Sequence, residues 1–281
     1  MKTVRIIPRL DIKGPNLVKG IHLEGLRVLG KPSEFARYYY EEGADEIMFM
    51  DVVASLYQRN SLHEIISETA KSVFIPITVG GGLRSISDIK EVLRAGADKV
   101  SLNTAAINNP QLIKDASRIF GSSTIVVAIE AIRENNGKYL AYTDNAREYT
   151  GVDVFEWTVR AAELGAGEII ITSVDKEGTG DGFDLELISQ VSKLVDIPVV
   201  AHGGAGKKEH VLPVFENVAA DAVAIASMLH YDFISNFTTF QHASEGNNEF
   251  LKQKRSFHTF ASCNIKSLKA YLTDHSIQCR V

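Results

Sequence analysis

The chain has 281 residues, a formal net charge of −5 and a hydrophobic share of 45%. A chain of this length can be a single barrel domain, and an acidic balance without a long basic run is atypical of nucleic-acid-binding proteins. No apolar run approaches the roughly 18 residues of a membrane-spanning helix, and the start of the chain lacks the apolar core of a signal peptide. The two cysteines, Cys263 and Cys279, form neither a disulfide framework nor a metal-ligand spacing, and the eight histidines form no metal cluster. We therefore expect a cytoplasmic protein that needs no metal and no cofactor.

Apolar runs that end in glycine or polar residues predict the strands. In the first half of the chain they occupy 4–11 (VRIIPRLD), 43–51 (GADEIMFMD), 75–82 (IPITVGGG) and 97–104 (ADKVSLNT). Similar runs return in the same order at 123–130 (STIVVAIE), 165–173 (GAGEIIITS), 197–204 (IPVVAHGG) and 220–227 (ADAVAIAS). Between them, stretches such as 85–97 and 153–167 have apolar residues three and four apart, which predicts helices.

The ordered repeat indicates a duplicated half of about 120 residues. Four strand–helix units in each half make eight, and eight such units close into a barrel. The sequence thus predicts an α/β fold, a (βα)8 TIM barrel built from two repeated (βα)4 halves, as one domain over residues 1–281.

Two carboxylates are expected to face each other at the mouth of this barrel. Functional sites of such barrels lie at the C-terminal ends of the strands, and inward-pointing residues alternate along each strand. Asp11 then lies at the inward end of the first strand, and Glu130 holds the corresponding position in the fifth. A facing pair suits general acid–base chemistry; the alternative is two solvated carboxylates at a rim.

Glycine-rich loops follow the third and seventh strands, and small polar residues follow the fourth and eighth. Such loops are a common phosphate site in these barrels because backbone N–H groups can approach the ligand. Two of them at one mouth predict a long substrate with a phosphate at each end; otherwise the glycines only make tight turns. His202, at the end of the seventh strand, either contacts substrate or caps a loop. The candidate phosphate-binding residues are Gly81, Gly82, Asn103, Thr104, Gly203, Gly204, Ala226 and Ser227.

Five motifs follow one another along the chain: RIIPRLDIKGPNLVKG at 5–20, TVGGGLRS at 78–85, KVSLNTAA at 99–106, GAGEIIITSVDKEGT at 165–179 and HGGAGKKEH at 202–210. Together they resemble the HisF family, the cyclase subunits of imidazole glycerol phosphate synthase. The likeness covers residues 1–233 and resumes at 265–281.

The resemblance implies a heterodimer with a HisH-like glutaminase, whose ammonia travels through the barrel to the mouth. There the family joins ammonia to phosphoribulosyl-formimino aminoimidazole carboxamide ribotide, a small molecule with two phosphates, and releases imidazole glycerol phosphate and the carboxamide ribotide. Asp11 matches the family's catalytic aspartate, and Lys19 matches a lysine of its mobile loop that helps to hold substrate. Asp98 matches a position that contacts the glutaminase.

Four charged residues are expected to point inward where strands begin, at the lower end of the barrel. Two cations and two anions can form a ring in which every charge is paired, whereas an apolar interior disfavours unpaired charges. The ring is either a structural plug or, as the resemblance implies, a gate for ammonia. Its members are Arg5, Glu46, Lys99 and Glu168.

Three features depart from the family pattern. Glu130 replaces the second catalytic aspartate and is one methylene longer. Arg9 occupies an inward, mid-barrel position where the family usually has a small or apolar residue, and a buried guanidinium there needs Glu130 or Asp11 as a partner. Residues 234–261 have no counterpart in the family and follow the eighth strand, so they form a lid, a partner surface or a floppy insertion near the catalytic face.

Two alternatives to a cyclase follow from the resemblance. The departures are similar to paralogous HisF copies of surface-polysaccharide gene clusters, which implies an ammonia-conducting subunit for a sugar amidotransferase in acetamidino-sugar, O-antigen or lipopolysaccharide biosynthesis. The related isomerase HisA shares the half-barrel repeat and an aspartate pair, but it needs no charged ring at the lower end. Neither nucleic acid nor a membrane is an expected partner.

Overall fold

A computed structural model describes residues 3–54, 62–218, 220–236 and 260–280. The elements of the first half are β1 (Arg5–Lys13), β2 (Asn16–Ile21), β3 (Glu24–Gly30), α1 (Pro32–Glu41), β4 (Ile47–Asp51), α2 (His63–Thr69), β5 (Ile77–Gly80), α3 (Ile86–Ala95), β6 (Lys99–Leu102), α4 (Thr104–Asn108) and α5 (Gln111–Phe120). Those of the second half are β7 (Ile125–Arg133), β8 (Tyr139–Thr143), β9 (Glu148–Asp153), α6 (Val154–Glu163), β10 (Glu168–Ser173), α7 (Leu185–Leu194), β11 (Val199–His202), α8 (Leu212–Glu216), β12 (Ala222–Ile225), α9 (Ser227–Asn236) and α10 (Ile265–Asp274). Short 3-10 turns cover Ser122–Thr124 and Lys208–His210.

Eight of the strands form a closed parallel barrel. Their order around it is β1, β4, β5, β6, β7, β10, β11 and β12, and β12 pairs with β1 again. The predicted (βα)8 barrel is therefore confirmed. Of the predicted insertion at 234–261, residues 234–236 end α9 and residues 237–259 lie outside the described residues.

Two antiparallel hairpins extend from the mouth of the barrel, and the sequence analysis did not predict them. β2 and β3 continue from β1, and β8 and β9 continue from β7. β1 and β7 have nine residues each, because their last residues pair with the hairpins beyond the barrel wall. Each half of the repeat thus contributes one hairpin above the site.

Side chains fill the barrel in layers, as is usual for this fold. The inward parity of β1 is as predicted, since Ile7 belongs to the interior cluster while Ile6 and Leu10 pack outward against the helices. The interior cluster separates the charged lower layer from the polar layer at the mouth. It consists of Ile7, Met48, Val126, Ala128, Ile170, Val200, Ala222 and Ala224.

Side-chain caps fix the starts of several helices that follow strands. The Ser85 hydroxyl accepts a hydrogen bond from the backbone N–H of Asp88 in a capping box, and the Asp153 carboxylate caps α6 by accepting from the backbone N–H groups of Phe155 and Glu156. Asp184 caps α7. Each such cap typically contributes about 1 kcal/mol, so the loops that lead from the mouth into these helices are anchored. No helix within the described ranges is long and apolar enough to cross a membrane.

Candidate functional site

A pocket of about 270 Å³ opens at the C-terminal ends of the first-half strands. Of the two predicted carboxylates, Glu130 lines this pocket, together with Arg9 from the barrel interior. The loops after β5 and β6 supply the predicted residues Gly81, Gly82, Asn103 and Thr104, and the β8–β9 hairpin supplies Asp144 and Asn145. The pocket therefore joins the first glycine loop to one member of the carboxylate pair.

Asp11 lies deeper, covered by two cations. Its carboxylate accepts a hydrogen bond from Nε of Arg9 at 2.9 Å, and Nζ of Lys19 is 4.0 Å from its other oxygen. Asp11 is 2% exposed and Lys19 is 2% exposed, so the β2–β3 hairpin closes over Asp11 in this conformation. The Asp11 carboxylate is therefore closed off from solvent in this conformation.

Arg9 lies across the interior of the barrel above the apolar layer. From β1 its guanidinium reaches β11, where NH1 is 3.1 Å from Nδ1 of His202, and β10, where NH1 is 3.5 Å from the hydroxyl of Thr172. Its ion pair is with Asp11. The sequence analysis left Glu130 and Asp11 open as partners, and the structure selects Asp11.

Glu130 accepts its hydrogen bond from a different source, the backbone N–H of Ala146 at 2.8 Å. That N–H belongs to a turn in which Asp144, Asn145 and Ala146 have φ angles of 52°, 61° and 61°. Burial raises the pKa of Glu130 to about 7, although the Ala146 hydrogen bond and the charge of Arg9 act in the opposite direction. Glu130 is therefore present in both protonation states near neutral pH, as a proton-transferring group requires.

Glu177, in the loop after β10, holds the β2–β3 hairpin down. Its carboxylate pairs with Lys19 and accepts the backbone N–H of Leu23 at 3.0 Å, while its carbonyl accepts the N–H of His22 at 2.9 Å. Asn145 donates to the carbonyl of Leu23 at 2.7 Å from the other side. Both hairpins and the loop after β10 thus meet over the site.

The glycine loops have a packing reason for their glycines. A Cβ at Gly81 would collide with the backbone of Asp51, and one at Gly203 would collide with the backbone carbonyl of Ser173. These are corresponding contacts with the preceding barrel strand in the two halves, and both glycines have positive φ, 99° and 98°. Tight packing accounts for these glycines without a ligand, so phosphate binding stays a prediction.

The second glycine loop borders a much smaller space, about 10 Å³, which is about the least that a single water molecule needs. The predicted residues Gly203, Gly204, Ala226 and Ser227 line it together with His202 and Glu177. Glu177 is held there by its ion pair with Lys19. A larger ligand at this loop requires the Glu177 side chain to move.

The four predicted charges at the lower end form a closed ring. Arg5 pairs with Glu46 and Glu168, and Lys99 pairs with the same two carboxylates at 2.8 and 3.0 Å. The two glutamates are nearly buried, whereas the cations are about one-fifth exposed, at 23% for Arg5 and 20% for Lys99. The ring closes the lower end of the interior with every charge paired, below the apolar layer.

Asp98, the predicted contact residue, has a structural partner within the chain. Its Oδ2 accepts the backbone N–H of Ile77 at 2.8 Å, in the same manner as Asp45 accepts from Ile6 and Asp221 accepts from Val199. Each of these aspartates precedes a barrel strand and anchors the strand before it. A role for Asp98 in partner binding is therefore additional to a role in the fold.

The chain is similar to HisF subunits of several organisms. The model of the family described as "Histidine biosynthesis protein" matches residues 5–235. Imidazole glycerol phosphate synthase subunit HisF of Legionella pneumophila is 60% identical over 209 residues, which covers 74% of this chain and 99% of that protein. The chain belongs to the HisF family. HisF subunits of Methanocaldococcus jannaschii and Prochlorococcus marinus strain AS9601 are 48% and 50% identical, each over 82% of this chain and over 92% and 91% of their own lengths.

Several residues of this HisF-family site were not singled out from the sequence. Glu177 lies inside the motif at 165–179. Nothing in a linear motif indicates that it anchors the β2–β3 hairpin through Lys19, which lies 158 residues earlier in the sequence. Asp144 and the N–H of Ala146 belong to a hairpin that was not predicted. Asp144 and Asn145 were the available signal for this turn, because aspartate and asparagine tolerate the left-handed backbone conformation.

Proposed function

We propose that this chain is a lyase subunit of the cyclase type in a glutamine amidotransferase complex. It uses ammonia to convert phosphoribulosyl-formimino aminoimidazole carboxamide ribotide into imidazole glycerol phosphate and the carboxamide ribotide. The observation that carries this proposal is the presence of two carboxyl groups at one mouth of the barrel, Asp11 and a buried Glu130 whose pKa is about 7. Membership of the HisF family supplies the reaction, since the relatives are named as synthase subunits.

Ring closure with ammonia needs proton transfer at two places. The attacking nitrogen must lose protons, and the departing groups must gain them. Glu130 can do either near neutral pH and is reached from the 270 Å³ pocket. Asp11, which is paired with Arg9, is the second group.

The two glycine loops are the proposed phosphate sites of this substrate. Gly82 and Thr104 line the first pocket, and Gly204 and Ser227 line the small second space. We propose that Lys19 leaves Glu177 and contacts the substrate when the second space opens. The buried Lys19–Glu177 pair then serves as the closed position of the hairpin.

The lower face is the proposed docking surface for a HisH-like glutaminase and the entrance for its ammonia. A cleft of about 260 Å³ there is bordered by Arg5, Lys99 and Glu168 of the charged ring, which we propose as the gate together with Glu46. Phe74, Ile119 and Leu194 are exposed by 75%, 59% and 44%. Each lies before a barrel strand or at the C-terminal end of a helix, and therefore at this same end of the barrel. Exposed apolar groups beside a polar rim are typical of protein interfaces.

A second candidate function is supported by the Arg9–Asp11 ion pair. An Asp11 that is occupied by a guanidinium is poorly available for proton transfer, which favours an ammonia-conducting subunit that serves a sugar amidotransferase in acetamidino-sugar biosynthesis. The relatives named above are all synthase subunits, so the cyclase is the first choice.

Turnover by the isolated chain distinguishes the two functions. We expect the chain, given ammonium salts and the ribotide, to form imidazole glycerol phosphate, and we expect Asp11→Asn to abolish this product. Folded chain without turnover would favour the conducting subunit.

Glutaminase docking is tested separately with Asp98→Asn. This variant removes the charge of Asp98 but retains an oxygen that can accept from Ile77. We expect calorimetry to show weaker binding to the glutaminase with unchanged thermal unfolding of the barrel. Unchanged binding would remove Asp98 from the proposed interface.

A further inference from the structure

We propose that His202 is a ligand-binding residue at the second glycine loop, where its Nε2–H donates a hydrogen bond to an oxyanion of the phosphate class, and that Arg9 is the residue that positions it. This inference rests on the proposed phosphate site at Gly204 and Ser227. It adds a side-chain donor to a site so far composed of backbone and one hydroxyl.

The first step concerns which nitrogen of His202 carries the hydrogen. Nδ1 is 3.1 Å from NH1 of Arg9 and 3.2 Å from the hydroxyl of Thr172. A guanidinium only donates hydrogen bonds and has no lone pair to accept one. Nδ1 must therefore be the acceptor, and in a neutral ring the hydrogen is on Nε2.

The second step is that the ring is neutral. His202 is 3% exposed, and burial lowers its pKa well below the usual range, with the charges of Arg9 and Lys19 acting in the same direction. Protonation would also place a hydrogen on Nδ1, directly facing the guanidinium. The ring is therefore a fixed donor at one nitrogen and a fixed acceptor at the other.

The third step concerns what Nε2 faces. The Nδ1 edge of the ring is used by Arg9 and Thr172, and His202 also lines the small space in front of Gly204 and Ser227. Among the described residues none accepts a hydrogen bond from Nε2. The space that His202 lines is also bordered by Ser227, the first residue of the ten-residue helix α9. An oxyanion in that space would accept a hydrogen bond from Nε2.

Substitutions that mimic one ring nitrogen each provide the test. The amide of His202→Gln reaches the position of Nε2, whereas the amide of His202→Asn reaches only the position of Nδ1. We expect calorimetric titration of the full chain with inorganic phosphate to show that His202→Gln binds phosphate within about threefold of the affinity of the unmodified chain. For Asn we expect a loss of about tenfold or more, as for a hydrogen bond to a charged group. Equal affinity of all three chains would overturn the proposal.

The tautomer is measured independently by ¹⁵N NMR of histidine-labelled chain, with His202 assigned by the absence of its signals in His202→Gln. We expect a pyrrole-type Nε2 and a pyridine-type Nδ1, and a shift of the Nε2 resonance on addition of phosphate. Arg9→Lys keeps the charge but loses the guanidinium, so we expect mixed tautomers in that variant. A pyrrole-type Nδ1 in the unmodified chain would overturn the proposal, and so would an Nε2 chemical shift that does not change when phosphate is added.

These results separate this inference from the proposed function. If the chain converts the ribotide but the Nε2 chemical shift of His202 does not change on addition of phosphate, only the role of His202 is refuted. A responsive His202 in a chain without turnover would refute only the cyclase.

Discussion

Replacing Glu130 by glutamine should flatten the pH dependence of stability. Burial raises the pKa of Glu130 from its ordinary value of 4.5 to about 7. Between these values the folded chain binds more protons than the unfolded chain, so the free energy of unfolding falls as the pH rises. The contribution of Glu130 is complete below its ordinary pKa and is lost as the pH passes 7. From about pH 5.5 to about pH 8.5 this loss is about 2 kcal/mol.

Glutamine has nearly the same shape, does not titrate, and can still accept the N–H of Ala146 through its carbonyl oxygen. Urea unfolding followed by circular dichroism should therefore show that the free energy of unfolding of Glu130→Gln falls by about 2 kcal/mol less over that pH range than that of the unmodified chain. Glu216→Gln, at the exposed end of α8, is the matched control and should follow the unmodified chain. If Glu130→Gln and the unmodified chain lose stability in parallel, Glu130 titrates at its ordinary value, and its assigned role in proton transfer loses its basis.

Three further predictions concern residues around the two pockets. Arg9→Cys combined with Glu130→Asp should raise cyclisation with free ammonia by more than the two single changes together, because both residues act on the same buried charges; strictly additive rates would contradict this. Glu177→Gln should increase hydrogen exchange in residues 16–30 by about tenfold or more, as expected when a buried ion pair is broken, whereas Glu24→Gln in the same hairpin should not. Asp144→Asn should strengthen phosphate binding at the first glycine loop, since the Asp144 carboxylate lies 3.5 Å from the Thr104 hydroxyl and repels an anion there; unchanged affinity would mean that phosphate does not approach Thr104.

The barrel could be predicted from the sequence because the same order of strand patterns occurs in both halves of the chain. Eight apolar runs in a conserved order fix the number of units, and the closure of eight parallel strands follows from the fold class. The hairpins were missed because each begins inside a strand that already satisfied the barrel pattern. β1 continues past Asp11 to Lys13, where it pairs with β2 rather than with another barrel strand.

The partner of Arg9 could not be predicted, for a local reason. Arg9 and Asp11 are two residues apart on one strand and point to the same side, so their contact is geometrically simple. The choice between Asp11 and Glu130 depended on whether Glu130 had another donor. That donor is the N–H of Ala146, presented by left-handed backbone in the β8–β9 hairpin, which the sequence analysis did not predict.

The glycine loops show a different limit of sequence reasoning. A glycine is required wherever something approaches its backbone closely, and the sequence does not say whether a ligand or another strand approaches. At Gly81 and Gly203 it is the neighbouring strand. Sequence symmetry at these positions therefore reflects the duplicated fold first, and any phosphate site is built on that constraint.

Arg9 lies on the path of ammonia in both candidate functions. Ammonia that follows the barrel axis meets its guanidinium above the apolar layer, and this holds for a cyclase and for a conducting subunit alike. The obstacle therefore does not discriminate between them. A conducting subunit, however, gains nothing from a buried glutamate at its exit, and burial of a carboxyl with a pKa of about 7 costs stability at neutral pH. Such a cost is expected where the group has chemistry to perform, so Glu130 favours the cyclase even though Arg9 holds its partner Asp11.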